Sequence, residues 1–449
     1  MGFFPPQHMM RCRFSGILSQ RRIVGGAAVL AVTQFSASFA GLVRDNLLNR
    51  TFPGLSVVDV YVSAFRPSDL IFQMTIMAGF SVALVPLLAR YEAQKDRHAM
   101  SKLLNGVVTV AAIVFGLLAL LLAVVFPWVA PVFTQFEGET LALYINFARI
   151  ALLTNFLFVF GNAFGQYLNT IQRFWMYGLT PVLFTLGTIA GTVWLTPVIG
   201  SYGPIVGTLG GALLYTLVRF AAIVRAGYRF AITWWHPDLT EMGLLMLPRM
   251  LALGALQGEL LMFDRIASGL GIGSIAVNAY ARNFQAVVVG VTGMALALSL
   301  FSPLSQAAAR NEWARYRQYL KRGILWMLLL TIPGAIALVF LTPMAVWLIH
   351  LKATFVPVFF TCLALYALSI PFEGLNHLLT RAFYATKHTT IPAVLTVING
   401  VIAIVLSWTL APRLGVFSLA LGYCVGHIVE MAGLLVLFPR EVQSVREEF

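Results

Sequence analysis

The sequence predicts an all-α polytopic membrane protein with twelve transmembrane helices, arranged as two six-helix repeats around a central cavity. Three observations predict it. Hydrophobic residues make up 59% of the 449 positions and charged residues 10%, against about 25% charged in an ordinary soluble domain. So little polar surface cannot coat soluble cores, which argues against soluble enzymes, nucleic-acid binders and disordered chains. The apolar stretches are also long and continuous, as helical spans are, instead of alternating as barrel strands do. Finally, the second half repeats landmarks of the first at an interval of about 210–220 residues.

The elements follow in order. A cytoplasmic segment, 1–21, precedes the first span at 22–46. Arg21-Arg22, an apolar run and Ser38-Phe39-Ala40 look like a cleavable leader. The segment also pairs with a later one in the repeat, so it is read as a retained helix. The next spans are expected at 56–90, 103–133, 140–170, 175–198 and 203–226, and Gly210-Gly211 in the last reads as a helix-packing pair. These six helices form an N-lobe, 22–229, followed by a cytoplasmic linker, 230–240. The C-lobe, 241–438, holds spans at 241–266, 273–308, 323–349, 354–384, 389–411 and 415–438, before a cytoplasmic tail, 439–449. Most exceed the about 20 residues that a bilayer core requires. Pro67, Pro248, Pro303 and Pro371 lie in or near spans and imply kinked or interrupted helices.

Charge sets the orientation. One set of connections carries 21 of the 30 Lys and Arg residues, and the opposite set carries five: Arg44, Arg50, Arg265, Lys352 and Arg413. The positive-inside rule then places both termini in the cytoplasm. It also accounts for the net charge of +13 without a nucleic-acid partner. Cys12, Cys362 and Cys424 are too few and scattered for a disulfide framework or a zinc site.

The repeat rests on residues rarer than leucine. Arg44-Asp45 ends the first span and Asp264-Arg265 the seventh. YVSAFR at 61–66 parallels YAR at 280–282, ALVPLLARYEA with Pro86 parallels SLFSPLSQAAA with Pro303, and the surroundings of Pro181 parallel those of Pro392. Six spans per half give the halves one orientation, related by an axis along the membrane normal.

The remaining four arginines, Arg66, Arg149, Arg249 and Arg282, lie within spans. A charge there costs at least about 2.5–3.5 kcal/mol and needs a reason. Counted from the outer boundary, Arg66, Arg149 and Arg282 sit about 15 Å deep, near the midplane. Arg44 lies higher, and Asp59 lies near the mouth of the second span. A planar guanidinium binds phosphate bidentately and stays charged when desolvated, so converging arginines suit an anionic, phosphorylated substrate. The substrate-site residues are therefore Arg44, Arg66, Arg282, Arg149 and Asp59. The competing reading pairs each arginine with an acid, such as Asp69 three residues after Arg66, or Glu259, Glu373 or Glu430. Arg249 is read first as snorkelling, and His377 and His427 as packed, hydrogen-bonded side chains.

No nucleotide loop, GxSxG or HExxH occurs. The chain is therefore read as a non-enzyme with no cofactor, driven by a coupling ion or by the membrane potential.

At these residues the sequence resembles the MurJ (MviN) family of the multidrug/oligosaccharidyl-lipid/polysaccharide (MOP) transporter superfamily. GLVRDNLLNRTFPG at 41–54, DVYVSAFRPSDL at 59–70, GFSVALVP at 79–86, Arg149-Ile150, LNTIQRF at 168–174 and RAFYATKHTTIP at 381–392 carry the resemblance in order along nearly the whole chain. It implies a flippase that moves an undecaprenyl-diphosphate-linked glycan precursor, lipid II foremost, across the bacterial cytoplasmic membrane by alternating access. Related alternatives are a flippase for a capsule or exopolysaccharide unit and a cation-coupled exporter. The partners implied are the lipid-linked substrate, membrane lipids and a coupling ion, with the protein acting as a monomer. Arg44 and Arg282 match family cavity arginines, and Arg66 stands where the family has Lys or Arg. Ser38 and Phe72 stand where it usually has arginine, Met77 where it has glutamate, and Ala281 where it has aspartate. The family typically has fourteen spans, the last two associated with a lipid-tail groove, and twelve are read here.

Overall fold

The computed structural model describes residues 32–33 and 35–447, with the backbone alone at 81, 82, 179, 248, 252 and 439–447. The expected segment 1–21 and the start of the first span lie outside the described residues. Helix α1 covers 35–51. Helix α2 (Ser56–Phe72) continues through two π turns, Gln73–Met77 and Phe80–Leu84, into α3 (Val85–Ala93). The first half goes on with α4 (Arg97–Phe133), α5 (Gly138–Thr170), α6 (Phe174–Ala190), a short α7 (Thr196–Ile199) and α8 (Gly203–Val224). The second half begins at α9 (Asp238–Ser268) and α10 (Ser274–Val288), which passes through a π turn, Val289–Met294, into α11 (Ala295–Ala309). It ends with α12 (Trp313–Phe340), α13 (Thr342–Ile349), α14 (Val356–Ala385), α15 (Thr390–Leu414) and α16 (Phe417–Glu447).

Among the described residues, eight helices are long and apolar enough to cross a membrane, and α9 makes a ninth if its two arms form one span. Those arms, Asp238–Leu247 and Arg249–Ser268, meet at 47°, where the sequence has Pro248. The stretch Phe174–Val224 counts once in that tally but holds the expected fifth and sixth spans. It folds back so that α6 and α8 touch through glycine: a Cβ on Gly187 or Gly211 would strike the other helix's backbone. Small residues let backbones approach this closely. With α1 and the α2–α3 helix, the described residues hold twelve helical segments, in keeping with the twelve spans expected. The ninth departs from its expected form, because α12 stops at Phe340 and α13 restarts at Thr342 with Pro343 in its first turn.

The internal repeat has a backbone signature. The interval from Gln73, where the first π turn of the second span starts, to Val289, where the eighth span's starts, equals that from Arg66 to Arg282, 216 residues. Equivalent helices thus break their α geometry at equivalent places.

By contact, the described residues form two compact units. One comprises 32–45, Thr75–Leu121 and Ile150–Arg249; the other comprises Asn46–Met74, Leu122–Arg149 and 250–447. In the first, Arg219 is buried and donates to Thr180 Oγ1 at 2.7 Å, Gly161 O at 2.9 Å and Tyr177 O at 2.9 Å. Tyr177 lies four residues before Pro181 in α6. Proline has no N–H to give that carbonyl, so the arginine satisfies it.

Candidate functional site

The site is built in the second unit, around the start of α10. The first turn of a helix leaves N–H groups without intrahelical partners. Asp59 of α2 reaches across to them: its carboxylate accepts from Gly273 N at 2.5 Å and Ala276 N at 2.8 Å, and its side chain is buried. An anion at a helix N-terminus is favoured by the dipole and by the free donors together. Neighbouring bonds fasten the same region. Tyr280 Oη donates to Asn49 Oδ1 at 2.8 Å, and Asn46 and Asn49 donate to Leu348 O and Ile349 O at 2.7 and 2.8 Å.

Arg282 sits two turns into α10. Its guanidinium lies 5.1 Å over the Tyr423 ring and 6.0 Å from that of Phe263. Its closest carboxylate is Glu259 of α9, 3.9 Å from Nη2, too long for a hydrogen bond. Nη1 of Arg282 and Oε1 of Glu259 have no hydrogen-bond partner. A partly buried guanidinium with an unused donor is primed to bind an oxyanion.

Arg66, on α2, is engaged differently. Its Nε donates to Asp264 Oδ2 at 2.7 Å, and the aspartate side chain is 4% exposed. The partner comes from α9, 198 positions away, where the sequence reading named Asp69. Asp264 also lies within electrostatic reach of Arg282. Three expected residues, Arg66, Arg282 and Asp59, therefore gather where α2, α9 and α10 meet.

Arg149 does not join them. Arg149 of α5 donates from Nε to Ala123 O at 3.0 Å. Ala123 lies four residues before Pro127 in α4, so Arg149 satisfies the carbonyl that the proline frees. Arg44 belongs to the other unit and pairs with its neighbour Asp45, Nη2 to Oδ1 at 2.7 Å.

The second half also holds a polar cluster whose focus the sequence did not single out. Glu373 accepts from Gln285 Nε2 at 2.7 Å and Tyr423 Oη at 2.9 Å. Glu430 accepts from Thr396 Oγ1 and from Asn399 Nδ2, each at 2.7 Å. His427 lies between the two acids. The spacings Glu373/His377, Tyr423/His427 and His427/Glu430 on single helix faces are the local signal that links them. No group of three or more His, Cys, Asp or Glu able to hold a metal ion occurs among the described residues.

Comparison with known proteins places this geometry. A family model described as "Lipid II flippase MurJ" matches residues 48–448. The lipid II flippase MurJ of Burkholderia cenocepacia is 24% identical over 428 residues, covering 91% of this chain and 83% of that protein. A solved structure of lipid II flippase MurJ in an inward closed conformation superposes with a TM-score of 0.76 at 21% identity, over 92% of this chain and 87% of that one. An inward-facing multidrug-resistance MATE transporter of the MOP superfamily gives 0.75 at 16% identity, over 91% and 95%. The fold is that of these transporters.

Proposed function

The chain belongs to the MurJ family of lipid II flippases, and from that premise we propose that it moves lipid II, an undecaprenyl-diphosphate-linked glycan, across the bacterial cytoplasmic membrane by alternating access. The observation that carries this reading is Arg282, a mid-span guanidinium with an unpartnered Nη1. The diphosphate binds there, exchanging the loose Glu259 contact for charge-assisted hydrogen bonds of about 1.5–3 kcal/mol each. Neutralising the headgroup lowers the cost of carrying it past hydrocarbon while the lipid tail stays in the bilayer.

Both termini face the cytoplasm, as the 21-to-five charge split supports. The lobes 22–229 and 241–438 rock about the substrate. The outer ends of the first-half helices are then tied to the second half by the Asp59 cap, the Arg66–Asp264 pair and the Asn49–Tyr280 bond. Those are contacts of a state closed to the outside, and export requires them to open. Arg66 thus alternates between Asp264 and the headgroup. Arg44, with Asp45 beside it, is a further headgroup contact, while Arg149 and Asp59 hold the framework. A monomer suffices, driven by an ion gradient or by the membrane potential, which supplies about 2.3 kcal/mol per charge per 100 mV.

Complementation tests the reading. In a strain depleted of its lipid II flippase, the wild-type chain is expected to restore growth, and Arg282→Ala is expected to fail although it inserts at normal levels. Wild-type chain that inserts without restoring growth, in a strain whose polysaccharide export it does restore, would replace lipid II with another lipid-linked glycan.

A further inference from the structure

The buried cluster of the second half contains more acid than the transport reading uses. Among the described residues, Glu259, Glu373 and Glu430 share it with one guanidinium that faces them, Arg282, and all three acids lie in helices at membrane depth. Ionised together, they leave two negative charges without a permanent counter-charge in a low-dielectric site, a cost of several kcal/mol. Protons are the available compensation.

The geometry says where a proton goes. His427 presents both ring nitrogens to carboxylates: Nε2 lies 3.9 Å from Glu373 Oε2 on α14, and Nδ1 lies 3.6 Å from Glu430 Oε2 on α16. A neutral imidazole has one N–H and serves one of them; an imidazolium serves both. Two amides already converge on Nδ1, Asn376 Nδ2 at 3.2 Å and Asn399 Nδ2 at 3.3 Å. Asn376 is 4% exposed, yet its Oδ1 has no partner. The same Nδ2 donates to His427 O at 3.0 Å and to Glu430 Oε2 at 3.2 Å, which fixes that amide as placed and leaves Glu430 as the acceptor for a proton on Nδ1. Close packing keeps the parts in place: a Cβ on Gly426 would collide with Asn399. His377 stands on the far side of Glu373, Nε2 to Oε1 at 3.9 Å, and Arg381 donates to the His377 carbonyl at 2.9 Å. From α10, Arg282 stacks on Tyr423, whose hydroxyl bonds Glu373 and whose ring lies 4.4 Å from that of His427.

We propose that this cluster is a proton-binding site centred on His427, and that its occupancy is coupled to whether Arg282 holds an anion. The proton arrives from water and resides on Nδ1, where it donates to Glu430. The coupling step rests on the transport reading above. When a diphosphate engages Arg282, Glu259 and its neighbours lose their counter-charge, and the cluster takes up a proton in its place.

The test uses full-length protein in liposomes, with ¹⁵N-labelled histidine observed by solid-state NMR; His427 is the resonance that His427→Gln removes. On acidification between about pH 8 and pH 5, the wild-type signal is expected to pass from one protonated nitrogen to two. Glu430→Gln is expected to keep it neutral across the same range, and His377→Gln to leave it as in wild type. A His427 that stays neutral throughout, or one that responds to sodium chloride at fixed pH instead of to protons, overturns the proposal. Undecaprenyl diphosphate is then added at fixed pH. The doubly protonated fraction is expected to rise in wild type and to stay unchanged in Arg282→Ala. An intact acid titration with no response to the lipid overturns the coupling alone. Failure of the wild-type chain to complement a flippase-depleted strain overturns the transport reading and leaves the titration standing.

Discussion

Removing the Arg66 guanidinium strands Asp264, whose side chain is 4% exposed. Deleting one partner of a buried ion pair costs about 3–5 kcal/mol. Protonation of the aspartate and entry of water recover part of that, so the net penalty on the state described here is about 2 kcal/mol or more. A shift of 2 kcal/mol moves a two-state equilibrium by about 30-fold, enough to turn a minor outward-open population into a major one. The assay is a spin-label distance between cysteines at Thr51 and Ile272, both exposed at the ends of α1 and α9, with the native cysteines replaced. Arg66→Ala is expected to add a longer distance component. The exchange Arg66→Asp with Asp264→Arg is expected to restore the short one, because the pair re-forms with its poles reversed. Transport separates the two roles of Arg66: the exchange recovers the closed state, but it leaves an aspartate where the headgroup needs a cation, so flipping stays lost. A distance distribution in Arg66→Ala identical to wild type refutes the latch.

Four further outcomes follow from the same geometry. Arg149→Ala is expected to lower stability by about 1.5–3 kcal/mol through the orphaned Ala123 carbonyl. The loss should shrink in a Pro127→Ala background, where the helix supplies its own donor, and equal losses in both backgrounds by thermal unfolding would contradict the assignment. Asp59→Ala is expected to cost about 1–2 kcal/mol by uncapping α10, measurable as faster amide exchange at Ala276. Arg282→Lys is expected to keep only part of the flipping rate, since a point charge lacks the planar fork; full activity would point to charge alone. In the linker, burial holds the His236 imidazole below its ordinary value, against the pull of Asp238 at 3.8 Å. Its depressed value means that the unfolded chain binds the proton more readily. Stability is therefore kept above the ordinary histidine value and lost as pH falls through it, and His236→Gln is expected to flatten that acid-side loss in a pH series of unfolding.

The helical architecture was legible because it rests on composition: runs of apolar residues at least a bilayer long leave the chain no other solution. The repeat was legible because prolines and charges are rare enough for their spacing to carry information. The roles of the arginines were only partly so. Depth alone cannot distinguish Arg282, which has unused donors, from Arg149, which closes a proline gap on the next helix. The partners Ala123 and Pro127 are local to α4, and nothing in the sequence around Arg149 points to them. Arg219 illustrates the same limit: counted among the inner-side cations, it is buried against Tyr177, below Pro181. For Arg66, sequence proximity suggested Asp69, and only tertiary structure supplies Asp264. The histidine–glutamate cluster was visible as single residues, but its focus on His427 depends on three helices coming together.

The paired π turns have a consequence for how such a chain can change. A π turn is an α-helix that has absorbed one extra residue in a single widened turn, which spares the helix beyond it the rotation of about 100° that an added residue causes in a regular α-helix. Arg66 and Arg282 precede the turns, so their halves of the helices keep their aim whatever happens beyond. Excising one residue from Val289–Met294 would return the segment to α geometry and leave both Arg282 and the α11 face, including Ala297 and Leu304, seated as before against α12 and α14. Single-residue deletions, ordinarily the most disruptive lesion in a packed helix, thus become tolerable at this one turn. A deletion scan across the eighth span should accordingly show one window, at the π turn, where headgroup binding and the packing of α11 both survive, flanked by positions where deletion destroys them.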